Sequence, residues 1–317
     1  MIHVTMAVSR RRFLGETLVG ATAALAACRP RTAPRGGKAL AWGQAGLRDG
    51  HFRKPRAINV RNGEVYVIDT TGRVQVFSED GAFLRKWSTP DAENGTPTAV
   101  AFANDGNVLA PDTHYNRILE YTPEGELLEQ WGEYGTGPDQ FIYPTDVVQT
   151  PDGAYYISEY GMEADRVHVF DAARRFVRQW GALGEGPGEL NRAMAIEMDA
   201  QGRLYVADSA NHRIQCFDQA GRLVSIIGEA GTAPGRIKFP YDVACAPDGS
   251  ILVCEYGNHR VSRFRPDGGF VACFGRPGKA LGEFNGPRGV AVSPDGRVFV
   301  ADTDNDRVQR LQLEEWT

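Results

Sequence analysis

The sequence predicts an all-β fold, a six-bladed β-propeller of four-stranded antiparallel blades, and three observations support this prediction. First, one pattern recurs six times in the 317 residues, with copies that begin at Pro55, Pro97, Pro144, Ala193, Pro240 and Pro287. The starts lie 42, 47, 49, 47 and 47 residues apart, within the range of propeller repeats. Second, each copy alternates apolar and polar residues over short segments joined by Asp-Gly-type turns, which is typical of hairpins. Third, no copy shows the spacing of an amphipathic helix. Because one copy cannot bury its own apolar face, the copies must pack against one another around an axis.

The N-terminal segment is predicted to be an export signal. Residues 9–15 (SRRRFLG) resemble a twin-arginine signal, and the apolar stretch that follows is too short to span a membrane. Residues 25–28 (LAAC) resemble a bacterial lipobox, in which Cys28 carries lipid and becomes the mature N-terminus. Residues 1–28 are therefore predicted to be a lipoprotein signal, which implies an exported protein anchored to a membrane of the cell envelope. The alternative is an ordinary cleavable signal that ends near Cys28.

Residues 29–37 (RPRTAPRGG) are rich in Pro, Arg and Gly, so we interpret them as a flexible tether. The net charge of −5 becomes −7 without the signal, which contains three arginines and one glutamate. A mildly acidic body offers no general attraction to nucleic acid, so no nucleic-acid partner is expected. No later segment is long and apolar enough to cross a membrane.

The fifth copy shows the four strands, a to d, of one blade. Strand a is predicted at Asp242–Ala246, b at Ile251–Glu255, c at Arg260–Phe264 and d at Phe270–Phe274. The turn between a and b is Pro247-Asp248-Gly249.

The ends of the chain predict how the ring closes. The last copy ends after strand c, at Arg307–Leu311, and lacks strand d. The segment Lys38–Gly43 (KALAWG) carries the strand-d pattern ahead of the first copy. We expect it to complete the last blade, because this pairing removes an exposed strand edge. The propeller is thus predicted to span residues 38–312, followed by a short tail, 313–317.

Strand direction sorts the loops onto two faces. The b–c corners and the long Gly-rich d–a loops, such as residues 181–191, share one face with the start of every strand a. The opposite face carries only tight turns. A ligand site is therefore expected on the loop-rich face, around the mouth of the channel.

An acid at the end of strand b and an arginine at the start of strand c form one pair in each copy. Since a catalytic group is not needed six times, these pairs are interpreted as structural ion pairs that connect strands and loops. The six pairs are Asp69/Arg73, Asp112/Arg117, Glu159/Arg166, Asp208/Arg213, Glu255/Arg260 and Asp302/Arg307.

The corner between strands b and c resembles the NHL repeat. Its best copies are ADSANHRI at Ala207–Ile214 and ADTDNDRV at Ala301–Val308, with looser forms that start at Pro111 and Glu255. The resemblance covers roughly residues 38–311 and implies a six-bladed propeller. It implies little about function, because NHL propellers include enzymes, RNA binders, sensor domains and scaffolds.

One blade, Tyr143–Phe170, is also similar to a blade of the peptidyl-α-hydroxyglycine α-amidating lyases. In that family, zinc is bound by three histidines, each directly after the proline that opens a strand a. The equivalent positions here are Arg56, Thr98, Thr145, Met194, Tyr241 and Arg288. Since none is histidine, the zinc triad is absent and the lyase chemistry is not expected to carry over.

Blades 3 and 5 depart from the repeat in a matched way. Asp146 and Asp242 stand second after the opening proline, where other blades have Ala or Gly. The same two blades replace the Ala-Asp corner with acid–tyrosine pairs, Glu159-Tyr160 and Glu255-Tyr256. Carboxylates at the mouth would bind calcium or another divalent cation, or act as acid and base. The alternative is that these side chains only repack the rim.

Arg56 and Arg288 occupy equivalent positions in blades 1 and 6, which are neighbours in a closed ring, and Tyr241 has that position in blade 5. Two guanidinium groups at a channel mouth would favour a carboxylate, phosphate or sulfate ligand. The alternative is that they form bridges to acids of the rim.

Two functions follow from these features. The leading hypothesis is a lipid-anchored, extracytoplasmic propeller that binds a protein or a small, anionic ligand on its loop-rich face, without catalysis. The alternative is a metal-dependent lyase or hydrolase that uses Asp146, Glu159, Asp242 and Glu255. The sequence requires no cofactor, and it names neither the ligand nor the partner.

Overall fold

The structure is a computed structural model, and it describes residues 39–162 and 164–316. The predicted signal (1–28), the lipidation site Cys28, the tether (29–37) and Lys38 lie outside the described residues. Among the residues described, no helix is long and apolar enough to cross a membrane.

In these residues, 24 strands form six four-stranded antiparallel sheets, which confirms the predicted six-bladed propeller. Blade 1 contains β2 (Pro55–Arg61), β3 (Glu64–Asp69), β4 (Arg73–Ser78) and β5 (Phe83–Ser88). Blade 2 contains β6 (Ala101–Phe102), β7 (Val108–Asp112), β8 (Arg117–Tyr121) and β9 (Leu127–Trp131). Blade 3 contains β10 (Pro144–Gln149), β11 (Tyr155–Glu159), β12 (Arg166–Phe170) and β13 (Phe176–Trp180).

The second half of the ring follows the same order. Blade 4 contains β14 (Ala193–Met198), β15 (Leu204–Asp208), β16 (Arg213–Phe217) and β17 (Leu223–Ile227). Blade 5 contains β18 (Pro240–Cys245), β19 (Ile251–Glu255), β20 (Arg260–Phe264) and β21 (Phe270–Phe274). Blade 6 contains β22 (Gly289–Val292), β23 (Arg297–Asp302) and β24 (Arg307–Gln312), and its fourth strand is β1 (Leu40–Trp42). In the described part of the chain, three short 3-10 helices lie at Thr113–Tyr115, Thr303–Asn305 and Leu313–Glu315.

Strand β1 closes the ring as the sequence predicts. It pairs antiparallel with β24, with Leu40 opposite Arg310 and Trp42 opposite Val308. The Trp42 ring lies 6.0 Å from the ring of Phe77 in blade 1 and 6.3 Å from that of Phe299 in blade 6. The first described residues of the chain therefore join both blades at the seam and cover the edge of β24.

The C-terminus packs more closely than the predicted tail. Leu313 and Trp316 are buried, and the Trp316 ring stacks on Phe274 of blade 5 at 5.4 Å. The final residues therefore extend the hydrophobic contact between blades 5 and 6. In blade 5, strand a begins at Pro240 instead of Asp242, because Pro240 already pairs with Glu255 across the sheet.

All six acid–arginine pairs form, which confirms their structural interpretation. The pair in blade 4 shows how they work. The Asp208 carboxylate is fully buried and accepts hydrogen bonds from Arg213 Nε at 2.7 Å, Gln215 Nε2 at 3.0 Å and the backbone N–H of Asn191 at 2.7 Å. Arg213 also donates to the carbonyl of Gly186 at 2.7 Å. Each pair thus attaches a d–a loop to the strands of its blade and shapes the loop-rich face.

Candidate functional site

The strands a of the six blades surround a central channel. Its upper cavity has a volume of about 80 Å³ and is lined by residues from all six blades. That volume holds only a few water molecules or a slender chain. Threonines near the start of strands a bridge to the next blade. Thr98, which precedes β6, donates to the carbonyl of Thr145 at 2.8 Å, and Thr145 of β10 donates to that of Ala193 at 2.6 Å. These bonds hold the mouth of the channel in a defined shape.

Arg56 and Arg288 lie at this mouth, as predicted, and they are close enough to affect each other. Burial, and then the charge of Arg288, lower the pKa of Arg56 to about 10, so Arg56 remains a cation at neutral pH. Arg56 makes one long hydrogen bond, from Nη1 to Thr96 Oγ1 at 3.4 Å. The Nε of Arg288 is buried and has no hydrogen-bond partner among the described residues. No carboxylate of the described residues forms an ion pair with either guanidinium, so the predicted alternative of bridges to rim acids is not observed.

Aromatic side chains hold Arg288 in place and lie near Arg56. The guanidinium of Arg288 lies 5.0 Å from the ring centroids of both Tyr241 and Tyr256, whose rings are 5.1 Å apart. Tyr160 and Tyr241 act electrostatically on Arg56, which places these phenols around the same opening. Cation–π contacts of this kind orient a guanidinium without neutralising its charge. Tyr241, Tyr160 and Tyr256 therefore belong to the mouth, as the sequence predicts.

Asp146 and Asp242 lie inside the channel, directly below the mouth. Asp146 accepts hydrogen bonds from the backbone N–H of Val147 at 2.8 Å and of Ile196 at 3.0 Å. Asp242 accepts from Val243 and Val290, both at 2.8 Å. Each carboxyl thus accepts a hydrogen bond from a backbone N–H on the innermost strand of the next blade. Burial raises the pKa of Asp146 to about 7, and burial together with the charge of Asp146 raises that of Asp242.

Glu197 of blade 4 is a third carboxyl in this channel, and the sequence analysis does not single it out. Burial, and then the charge of Asp146, raise its pKa to about 8. It makes no hydrogen bond to any described residue. A signal for it was present: it stands fourth after the start of its copy, where the other copies have Asn59, Ala101, Val148, Ala244 and Ala291. A comparison of this position between the copies would have found it.

Glu159 and Glu255 are not at the mouth, and this part of the prediction is wrong. Both carboxylates are fully buried. Glu159 bonds to Arg166 Nε at 2.5 Å and to His168 Nε2 at 3.0 Å, and Glu255 bonds to Arg260 Nε at 2.9 Å. They are the structural acids of their blades. The four-carboxylate cluster of the alternative hypothesis therefore does not form.

The described residues contain no group of three or more His, Cys, Asp or Glu side chains that could hold a metal ion. In the channel, Asp146 and Asp242 already use oxygens to accept backbone N–H groups. The oxygen ligands that the channel offers therefore do not fit the calcium site that the sequence suggests.

Three further residues lie at the mouth but are not among the site residues that the sequence predicts. The ring of Tyr143 lies 5.6 Å from Tyr160 and 5.7 Å from His114. The guanidinium of Arg192 lies 5.2 Å from the ring of Tyr160. These residues precede strand a or follow strand b in their blades, so only the packing of neighbouring corners shows that they meet.

The tight-turn face is more concave than expected. An open depression of about 620 Å³ lies at the other end of the channel and reaches Glu197, Cys245 and Val292, which also line the upper cavity. Its rim consists of a–b turns, including residues 199–201 and 247–249. Glu197 thus lies deeper in the channel than Asp146 and Asp242, at the level of Asn59 in blade 1.

Comparisons with known proteins agree with this architecture. The NHL repeat family matches residues 195–217 and 284–311. The chain is 33% identical over 176 residues to mouse (Mus musculus) "NHL repeat-containing protein 3", covering 50% of this chain and 49% of that protein. It is 30% identical over 129 residues to mouse "Peptidyl-glycine alpha-amidating monooxygenase", covering 37% of this chain and 13% of that protein. The chain thus spans about half the length, or less, of these relatives.

Among solved structures, a streptogramin B lyase superposes with a TM-score of 0.61 at 13% identity, over 87% of this chain and 98% of that one. At this identity the likeness concerns the fold alone. The sheet order and the structural neighbours identify the chain as a six-bladed β-propeller, two segments of which match the NHL repeat.

Proposed function

We propose that this protein is an exported, membrane-anchored propeller that binds a small anionic ligand at the mouth of its channel, without catalysis. The mouth is defined by Arg56, Arg288, Tyr241, Tyr160 and Tyr256. A binding role agrees with the propeller fold, which presents a rigid ring and a concave opening.

The observation that carries the proposal is a pair of arginines that form no ion pair with an acid in the described part of the chain. Arg56 and Arg288 are half-buried and close together, so their positive charges repel each other. An anion between them would remove this repulsion and supply the hydrogen-bond acceptor that Arg288 Nε lacks. The tyrosines already restrict Arg288, so little conformational entropy is lost on binding.

Titration with inorganic phosphate, sulfate and pentanoate tests this proposal. We expect calorimetric binding of at least one of these anions, weakened by added chloride because the interaction is electrostatic. Arg56→Ala and Arg288→Ala should each weaken binding by about tenfold or more, and the double variant should abolish it. Arg175→Ala is the matched control, since that arginine is exposed on the opposite face. Unchanged affinity in the double variant would refute the mouth as the anion site.

The membrane anchor is the second part of the proposal, and it rests on the lipobox-like residues 25–28. Lipid on Cys28 would hold the propeller at the membrane through the tether of residues 29–37. We expect Cys28→Ala to move the protein from the membrane fraction to the soluble fraction. Lys substitution at Arg11 and Arg12 should instead block export. Membrane association that persists in the Cys28 variant would contradict lipid anchoring at this residue.

A further inference from the structure

Basic side chains lie at the mouth of the channel and acidic side chains lie deeper in it. Arg56 and Arg288 hold positive charge at the mouth, on the first residue after the opening proline of each strand a. Asp146 and Asp242 stand one residue further along their strands, and Glu197 stands three residues further. Since a strand rises about 3.3 Å per residue, Glu197 lies roughly 10 Å below the arginines along the axis.

Glu197 is the unexplained group in this arrangement. Asp146 and Asp242 each accept two backbone N–H groups, and so each has a structural role. Glu197 lines the cavity without a protein hydrogen-bond partner among the described residues. The groups that face it are Asp146 from blade 3 and, from blade 5, Asp242 and Cys245, and no basic side chain of the described residues offsets its charge.

Glu197 is half-buried and also borders the open depression of the tight-turn face, and ionising a carboxyl there is costly without a partner of opposite charge. A ligand ammonium group would donate a hydrogen bond to the Glu197 carboxyl and favour its ionised form, and its charge would favour the ionised form of the two aspartates as well. The narrow cavity admits a slender chain between the arginines and Glu197 more readily than a branched or cyclic body.

We propose that the ligand is an unbranched zwitterion, with its acid group on Arg56 and Arg288 and its protonated amine directed to Glu197. This inference rests on the proposed anion site and specifies the ligand class that this site takes. The arginines and Glu197 are about 10 Å apart along the strands, and their side chains shorten the gap that a ligand must span. We therefore expect several methylene groups between the acid and the amine of the ligand.

Matched pairs of simple acids test the inference. The probes are 4-aminobutyrate, 5-aminopentanoate and 6-aminohexanoate, each compared by calorimetry with butyrate, pentanoate or hexanoate. For at least one pair, the amino acid should bind about tenfold or more tightly than the acid without the amine. Glu197→Gln should remove most of this difference and leave the affinity for the plain acid nearly unchanged. Glu185→Gln, at an exposed loop position, is the control and should retain the difference.

The outcomes separate the two proposals. Equal affinities within every pair, or a preference that survives in Glu197→Gln, would overturn the zwitterion inference while leaving the anion site intact. If neither these acids nor phosphate nor sulfate binds at millimolar concentration, both proposals fail. Loss of plain-acid binding in Arg288→Ala, together with loss of amine preference in Glu197→Gln, is the result that supports both.

Discussion

At the scale of single residues, the channel carboxyls show the cost of enclosing charge. Glu197 has an ordinary pKa of 4.5, and burial beside Asp146 raises it to about 8. The folded protein therefore binds this proton more tightly than the unfolded chain does. Its contribution to stability is fully present below about pH 4.5 and is lost as the pH rises through about 8. Asp146, with its pKa raised to about 7, acts in the same direction.

Glu197→Gln should make the protein less sensitive to alkaline pH. Glutamine keeps the shape of the side chain but cannot ionise, so the charge that burial disfavours never develops. Between about pH 5 and about pH 9, the melting temperature of the variant should fall less than that of the wild type. The difference at the alkaline end is expected to be on the order of 2 °C. Thermal unfolding across this range measures it.

Glu185→Gln provides the comparison, because Glu185 is exposed. Its melting curve should follow the wild type at every pH. Parallel pH profiles for the wild type and Glu197→Gln would mean that Glu197 titrates in the folded protein as it does in the unfolded chain.

At the scale of the element, the blade depends on one buried acid–arginine pair. In blade 4, Asp208 lies under Arg213, whose side chain is 12% exposed and also binds the d–a loop. A second pair in the same blade, Asp218 with Arg222, has the same 2.7 Å separation, but the arginine side chain is 83% exposed. Removal of a buried partner leaves an uncompensated charge, whereas water screens an exposed pair.

These two pairs allow a matched test of Arg213→Ala against Arg222→Ala. Arg213→Ala should lower the free energy of unfolding by about 3–5 kcal/mol, because Asp208 loses its charged partner while it remains buried. Arg222→Ala should lower it by less than about 1 kcal/mol. Chemical unfolding of both variants measures the difference. Similar losses for the two arginines would contradict a structural role for the buried pair.

At the scale of the whole molecule, closure of the ring depends on a short strand that is far in sequence from the strand it pairs with. Strand β1 pairs with β24, and Trp42 lies between blades 6 and 1. Gly43 follows with φ of +94°, and a Cβ atom there would lie 2.5 Å from the ring of Phe52, so the close passage at the seam requires glycine.

Truncation through Gly43 should destabilise the entire propeller. It exposes the edge of β24 and removes Trp42 from the hydrophobic cluster between blades 1 and 6. We expect a lower melting temperature and increased aggregation, both of which thermal unfolding with light scattering detects. Truncation through Gly37, which leaves the strand intact, should melt like the full-length chain. If both truncated forms behave alike, β1 does not stabilise the ring.

The blade count, the closure of the ring, the six ion pairs and the arginines at the mouth were all predictable from the sequence. Each of these features either involves residues that are near in sequence or recurs in every copy, so each copy supports the assignment made in the others. The pairing of Asp208 with Arg213, for example, needs only the register of one hairpin. The position of Arg56 and Arg288 as ring neighbours follows from counting copies and closing the circle.

Which acids enter the channel depends on how the assembled blades pack, and the sequence alone did not show it. Glu159 and Glu255 end their strands b, and the arginine of strand c holds each of them in the interior of its blade. Asp146, Asp242 and Glu197 come from three different blades and interact only because the strands a converge on the axis. Their burial and mutual repulsion are therefore properties of the assembled ring, since no single copy contains the neighbours that create them.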